Sequence, residues 1–466
     1  MNYNKLLLLF FCLLCFREKA YAGSWSDSGN FNISWYTKTK SEFYISTAQE
    51  LAGVAYLVNN GYTKFQNQSI ILIDDIDLSG NSWSVIGCDE YNYFAGDFDG
   101  NNHTIKGVNI SSESGKHDYG FWGYCVGASI RNLDLFGKLS VGKKSQEGTV
   151  GRVGGLVGYC KQSVISSCNC YMDVIATQSS TTSTSYNIYV GGLIGHAYYN
   201  VDISYCKHEG DVKLQFGSSS GDEEWYTGNN KTYLGGLIGE SYNSKVKYCE
   251  NSSSILKVLA YGSRNSSSYS MTIGGCIGYT SDGIIESCTS RGKLSGYLKG
   301  SKIINISLGG ICGNATGKIV NCYTPETDFF ASSSGDNAIL YYGGITSSSS
   351  SAYFKNNYSP SNLSIDTDLT KIYRYSGSTS YSSSRMRTDD FLDELNMYPF
   401  IEYGITVWGR DNDYPYIINP DNLNSIDSVF QDSYSNTGNI YSIYGQRLRT
   451  PQKGIVIING KKVLIK

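Results

Sequence analysis

Asp74, Asp75 and Asp77 stand within four positions of one another, and paired carboxylates are the groups that run glycoside hydrolysis. Strand alternation puts Asp75 and Asp77 on one face, but in the context Ile76-Asp77-Leu78-Ser79-Gly80 an aspartate is expected to satisfy backbone donors instead. His208-Glu209 opens like the zinc helix of a metallopeptidase, which needs a second histidine to complete His-Glu-x-x-His. Here the chain continues Gly210-Asp211-Val212 in a strand context, so no peptidase is expected. Asp97, Asp99 and Asn101 begin like a calcium loop, yet Asn102 and Val108 occupy the positions that require glycine and glutamate, and turn formation is the expected use. Gly137 to Lys144 nearly spells a phosphate loop, with Lys144 where the magnesium-binding hydroxyl belongs. No catalytic residue, metal ligand or cofactor is assigned, and the chain is expected not to be an enzyme.

The elements that carry these residues follow from five Gly-Gly-hydrophobic-x-Gly blocks, at Gly154–Gly158, Gly191–Gly195, Gly235–Gly239, Gly274–Gly278 and Gly309–Gly313. Their first glycines lie 37, 44, 39 and 35 residues apart, and each block leads to a cysteine: Cys168, Cys206, Cys249, Cys288 and Cys322. Degenerate copies at Gly120–Gly123 and Tyr342–Thr346 flank the series, as a stacked array with atypical end repeats requires. The repeats span about residues 120–360.

One copy, from Tyr189, divides at glycine and polar corners into three β-prone pieces, Val190 to Ala197, Val201 to Lys207 and Asp211 to Phe216. Stacking such coils pairs each strand with its equivalent in the next repeat, which gives an all-β, right-handed parallel β-helix. The second glycines, Gly155, Gly192, Gly236, Gly275 and Gly310, are expected where backbones approach too closely for a Cβ. Ile165, Ile203, Val246, Ile285 and Ile319 stand three residues before the repeat cysteines. Both positions face inward only if a corner lies between them, so an aliphatic ladder is expected beside a sulfur ladder. In-register cysteines about 4.8 Å apart permit a disulfide without requiring one. Cys125 and Cys160 form a second equivalent pair. Buried thiols are favoured over a metal site, because Cys-x-x-Cys pairs and histidines at zinc spacing are lacking.

The chain of 466 residues carries 38 basic and 41 acidic side chains, a formal charge of -3. Lys5, the apolar run Leu6 to Phe16 and the small-x-small site Ala20-Tyr21-Ala22 read as a signal peptide over residues 1–22. Its removal takes away Lys5, Arg17, Lys19 and Glu18, moving the charge to about -5, and leaves eleven of thirteen cysteines. The remaining chain has no apolar run of membrane-spanning length. Mild acidity argues against a nucleic-acid partner, whose phosphates demand a basic face. Forty tyrosines and long Ser/Asn/Gly tracts suit contact with glycan or with a host or matrix protein, since such groups hydrogen-bond without heavy desolvation cost.

Loops that leave one side of the stack are the expected recognition surface. Among them Asp222, Glu223, Glu224, Trp225 and Tyr226 form an acidic-aromatic cluster, the candidate ligand contact. Before the repeats, Thr47 and Glu50 make a capping box for a helix ending at Gly61, expected to cover the open end of the stack. After them, a short helix from Thr388 to Leu395 and a strand pair from Ile405 to Ile418 close the rod, within a β-helix domain of residues 23–423. A linker and small β tail occupy 424–466.

The glycine blocks and their cysteines closely resemble the GLUG motif of bacterial surface proteins. The segments STAQELAGVAYLVNNG, IDLSGNSWSVIG and FDGNNHTIKG resemble the block that precedes such repeats in proteins of the Bacteroides group. This resemblance covers residues 43 to about 418 and implies a right-handed β-helix displayed at the cell surface or released, with an adhesin-like role. The C-terminal segment from Ile440 resembles the tails of exported proteins of those bacteria, including type IX secretion cargo. A polysaccharide lyase or hydrolase on the same fold, and a self-associating structural surface protein, remain alternative readings.

Overall fold

The computed structural model describes residues 23–111, 118–143, 151–178, 187–216, 230–261, 269–299, 304–334, 338–348 and 352–419, together with 440–442, 447–448, 454–458 and 461–465. The signal-peptide reading over 1–22 and the cluster Asp222 to Tyr226 lie outside the described residues. The chain divides into a unit of residues 1–418 and a unit of residues 419–466.

The first unit is a parallel β-solenoid. One coil shows how the sequence builds it: strands Asn187–Gly191, Ile194–Tyr198, Asp202–Ser204, Lys207–His208 and Val212–Phe216 follow one another. Each pairs in parallel with its counterpart a repeat later, as when Tyr189, Val190 and Gly191 oppose Tyr233, Leu234 and Gly235. The three pieces expected from sequence are therefore five. Val190 to Ala197 breaks at Gly192-Leu193, where the chain leaves one sheet for another, and Val201 to Lys207 breaks at Tyr205, whose φ is 53°.

That second break is the corner the cysteine spacing demanded. Ser167, Tyr205, Tyr248, Ser287 and Asn321, each directly before a repeat cysteine, all adopt positive φ between 51° and 57°. A left-handed residue between two inward positions reverses the strand alternation, so that both side chains enter the core. The aliphatic ladder runs Ile130, Ile165, Ile203, Val246, Ile285 and Ile319 in unbroken register, and aromatic Phe354 takes the next place. Beside it Cys168, Cys206, Cys249, Cys288 and Cys322 are buried and free. Burial holds the Cys168, Cys249 and Cys322 thiols well above the ordinary range.

At the glycine corner the close approach is direct. A Cβ on Gly155, Gly192, Gly236, Gly275 or Gly310 would sit 2.5, 2.3, 2.2, 1.9 or 2.0 Å from the carbonyl oxygen of the matching glycine one coil on. None of these glycines has positive φ, so missing side-chain bulk, not backbone freedom, is what they supply. Across the core a third column meets them: Cys170, His208, Asn251 and Ser290 in register, then Thr324 and Ser359, all buried. His208 is satisfied by Ser253 Oγ at 2.9 Å and by the Met172 carbonyl at 3.0 Å, and Asn251 donates to Ser290 Oγ at 3.1 Å.

Helix α1, Ala48–Asn59, starts on the expected capping box, with Thr47 accepting from the Glu50 amide and Glu50 from that of Thr47. Phe31 stacks on its Tyr56 at 4.1 Å, and Trp35 packs on Phe43 and Phe65, closing the first coils with aromatic rings. Helix α2, Asp389–Tyr403, is longer than expected and carries Pro399 inside it. It lies on the side of the stack: Asn321 donates to the Leu395 carbonyl, Tyr403 to Glu286, and Lys355 faces Glu402. Trp408–Gly409 and Tyr416–Ile417 pair antiparallel beside it. The second unit is a four-stranded antiparallel sheet of Ile440–Ser442, Arg447–Leu448, Gly454–Ile458 and Lys461–Ile465. Among the described residues no helix is long and apolar enough to cross a membrane.

Candidate functional site

The glycine corner does more than turn the chain. Because the strands before and after it belong to different sheets, outward side chains on either side of the bend converge. Two in-register rows result. The first, two residues before the leading glycine, runs Asp118, Arg152, Tyr189, Tyr233, Thr272, Ser307, Tyr341. The second, directly after the third glycine, runs Tyr124, Tyr159, His196, Glu240, Tyr279, Asn314. They touch across the bend: the Arg152 guanidinium lies 4.0 Å from the Tyr159 ring centre, and the Tyr189 and His196 rings are 4.8 Å apart.

Charge is neutralised within the rows. Arg152 donates through Nε and a terminal nitrogen to the two Asp118 oxygens at 2.5 and 2.7 Å; burial alone would lower its pKa, and Asp118 holds it above the usual value. His196 Nε2 stands 3.2 Å from Glu240 Oε2, with the side chains only 12% and 15% exposed. Burial, helped by Arg152, pushes His196 down to about 3, and burial pushes Glu240 up to about 7. Burial therefore disfavours the charged form of each, and the pair is not a pair of full charges where Glu240 keeps its proton. His196 Nδ1 finds no hydrogen-bond partner among the described residues, and Nε2 meets Glu240 without a well-directed hydrogen bond. Burial raises Tyr189 to about 12 and also raises Tyr159 and Tyr233, so the phenols stay protonated donors.

The chemistry-bearing residues of the sequence fall elsewhere. Asp75 accepts from the Thr104 amide at 2.8 Å and meets His103 at 3.2 Å, while Asp77 accepts from the Ser79 amide at 2.9 Å, the backbone role expected of them. Asp99 accepts from the Asn101 amide and, with Asp97, binds Arg131. His208 belongs to the buried polar column. No group of three His, Cys, Asp or Glu side chains that could hold a metal occurs among the described residues. The repeat glycines and cysteines occupy the corner and the core, and Asp222, Glu223, Glu224, Trp225 and Tyr226 lie outside the described residues.

Sequence reasoning passed over the corner rows, although their signal is regular: one residue follows every third glycine, and another precedes every first glycine by two. These positions vary in identity while fixed in place, so no recurring residue type marks them.

No protein-family model matches the chain, and no curated protein does. It is similar to a solved structure described as a "putative immunoglobulin A1 protease" from Bacteroides ovatus, with 16% identity and a TM-score of 0.43, covering 83% of this chain and 95% of that one.

Proposed function

We propose that the chain is a non-enzymatic, exported adhesin-like protein of GLUG type that binds glycans or host or matrix proteins from the flank of its solenoid. The observation that supports this reading is the double row at the glycine corner. It gathers tyrosines from successive coils into one stripe around a largely enclosed His196–Glu240 pair, with Tyr198 37% exposed at its rim. Such a stripe offers hydrogen bonds at low desolvation cost. The carboxylates that could serve hydrolysis are engaged instead with backbone amides and Arg131. The purified chain from Gly23, applied to an array of glycans and matrix proteins, is expected to bind saturably and to leave its ligand intact. Cleaved glycan on the array would replace this reading by a polysaccharide-degrading enzyme, and a blank array with concentration-dependent self-association would replace it by a structural role.

A further inference from the structure

We propose that the outer face of helix α2 is a contact surface on the solenoid flank and that it takes a cationic amphipathic segment of a partner protein. This rests on the protein arm of the binding reading above and adds to it a place and a partner chemistry.

The helix has two unlike faces. Phe391, Leu395 and Pro399 are buried, the first two in a small core with Tyr323, Tyr358 and Trp408. The opposite stripe runs Asp390, Asp393, Met397 and Ile401, at steps of three and four residues that keep side chains on one face of a helix. Met397 and Ile401 are 59% and 71% exposed, the most exposed large aliphatic side chains among the described residues. Burying them stabilises a complex, and the i, i+4 spacing is the one by which helices present anchors to a partner. Methionine, unbranched and polarisable, adapts to a surface it does not match in detail.

Charge selects the partner. The helix carries Asp389, Asp390, Asp393, Glu394 and Glu402 and no basic side chain. Three of these are paired: Asp389 with Arg410, Glu394 with Arg385, and Glu402 with Lys355 at 3.9 Å. Asp390 and Asp393 are exposed and have no ion-pair partner among the described residues, and they lead along the stripe into Met397 and Ile401. The lysines at the inner edge of the helix are engaged, Lys355 also with the Tyr398 ring and Lys247 with Glu286 and Tyr403. Such a stripe repels an anionic lipid surface and a nucleic acid, and its aliphatic half offers a glycan neither a ring face nor a hydrogen bond. A polypeptide with apolar side chains on one face and lysine or arginine beside them complements the whole stripe.

The test uses the chain from Gly23 and three synthetic probes: a leucine–lysine helix with its leucines on one face, the leucine–glutamate helix of the same pattern, and the leucine–lysine composition in scrambled order. Variants are Met397→Gln/Ile401→Gln, Asp390→Asn/Asp393→Asn and, as control, Ile73→Gln, at an isoleucine 52% exposed in the first coils. The patterned leucine–lysine helix is expected to bind, and each double variant to weaken it by about tenfold with an unchanged thermal midpoint. The amide pair should also flatten the salt dependence of binding, and the control should leave both unchanged. Equal binding by all variants, or equal binding of the leucine–glutamate or scrambled probe, overturns the proposal. So does a native dimer that Met397→Gln/Ile401→Gln dissolves, since a second copy would then be the occupant. Matrix proteins or glycans that bind the native chain and both double variants alike overturn it while leaving the wider binding reading intact, and binding to neither probes nor array removes both.

Discussion

A methyl group at Gly275 would lie 1.9 Å from the Gly310 carbonyl oxygen and 2.4 Å from Ser290 Oγ, with backbone on the crowded side. Relief requires parting two coils, so Gly275→Ala is expected to destabilise the solenoid by about 3 kcal/mol or more. Gly142→Ala, whose Cβ would find nothing nearer than 3.7 Å, is the matched control and is expected to leave the thermal midpoint within a degree or two. Equal midpoints for the two would show that the corner yields freely. Glu240 gives a second residue-scale test. Its pKa is raised from 4.5 to about 7, so the folded state holds the proton more tightly, and the contribution present below pH 4.5 is lost as pH rises through 7. His196, lowered from 6.5 to about 3, contributes in the opposite sense, fully above pH 6.5 and less as pH falls toward 3. Between pH 6.5 and 8 only the tail of the Glu240 slope remains, so the stability of Glu240→Gln relative to the native chain should rise by about 1 kcal/mol across that interval, most of the gain falling between pH 4.5 and 6.5. Urea midpoints at pH 5, 6.5 and 8 check this, and a constant difference would mean that the carboxyl titrates normally.

Among elements, legibility in the sequence tracked whether a residue's role was repeated or singular. The aliphatic and sulfur ladders were readable because a spacing of three between two buried positions has one geometric solution, an intervening reversal, and the structure places Ser167, Tyr205, Tyr248, Ser287 and Asn321 there with positive φ. Strand breaks were harder. Val190 to Ala197 reads as one β-prone run, and only the approach of Gly192 to the Gly236 carbonyl, at 2.3 Å for an added Cβ, shows that the chain bends there into another sheet. That contact spans 44 positions and leaves no local trace. The same bend makes the corner rows, so missing the break meant missing the candidate site. The polar column was hidden for a related reason: Cys170, His208, Asn251 and Ser290 share no residue type, and their equivalence is visible only once each faces a second glycine. Helix α2 was expected over Thr388 to Leu395, and Pro399, a residue that normally ends a helix, lies inside it. It continues to Tyr403, held on the coils by Tyr403 to Glu286 and Lys355 to Glu402.

At the scale of the whole solenoid the two ends are finished differently. The first coils are roofed by α1 and by Trp35, Phe43 and Phe65, whereas Lys371–Tyr375 is the outermost strand of its eight-stranded sheet, with Ile372 and Tyr373 40% and 55% exposed. An open parallel edge over a continuous core invites another strand. Here it is defended by charge: Lys371 sits on the edge, and Arg374 takes the inner position that Tyr342 holds one coil earlier, so a strand added beyond it would bury a guanidinium. Replacing both cations, Lys371→Thr with Arg374→Val, keeps strand propensity and removes the desolvation penalty. The double variant should therefore associate at concentrations where the native chain does not, read as a concentration-dependent rise in mass by light scattering. Restoring Arg374 alone should reverse most of it, because the inward charge is the one that pairing must bury; reversal by Lys371 instead would place the defence on the rim of the edge and not in the core it seals.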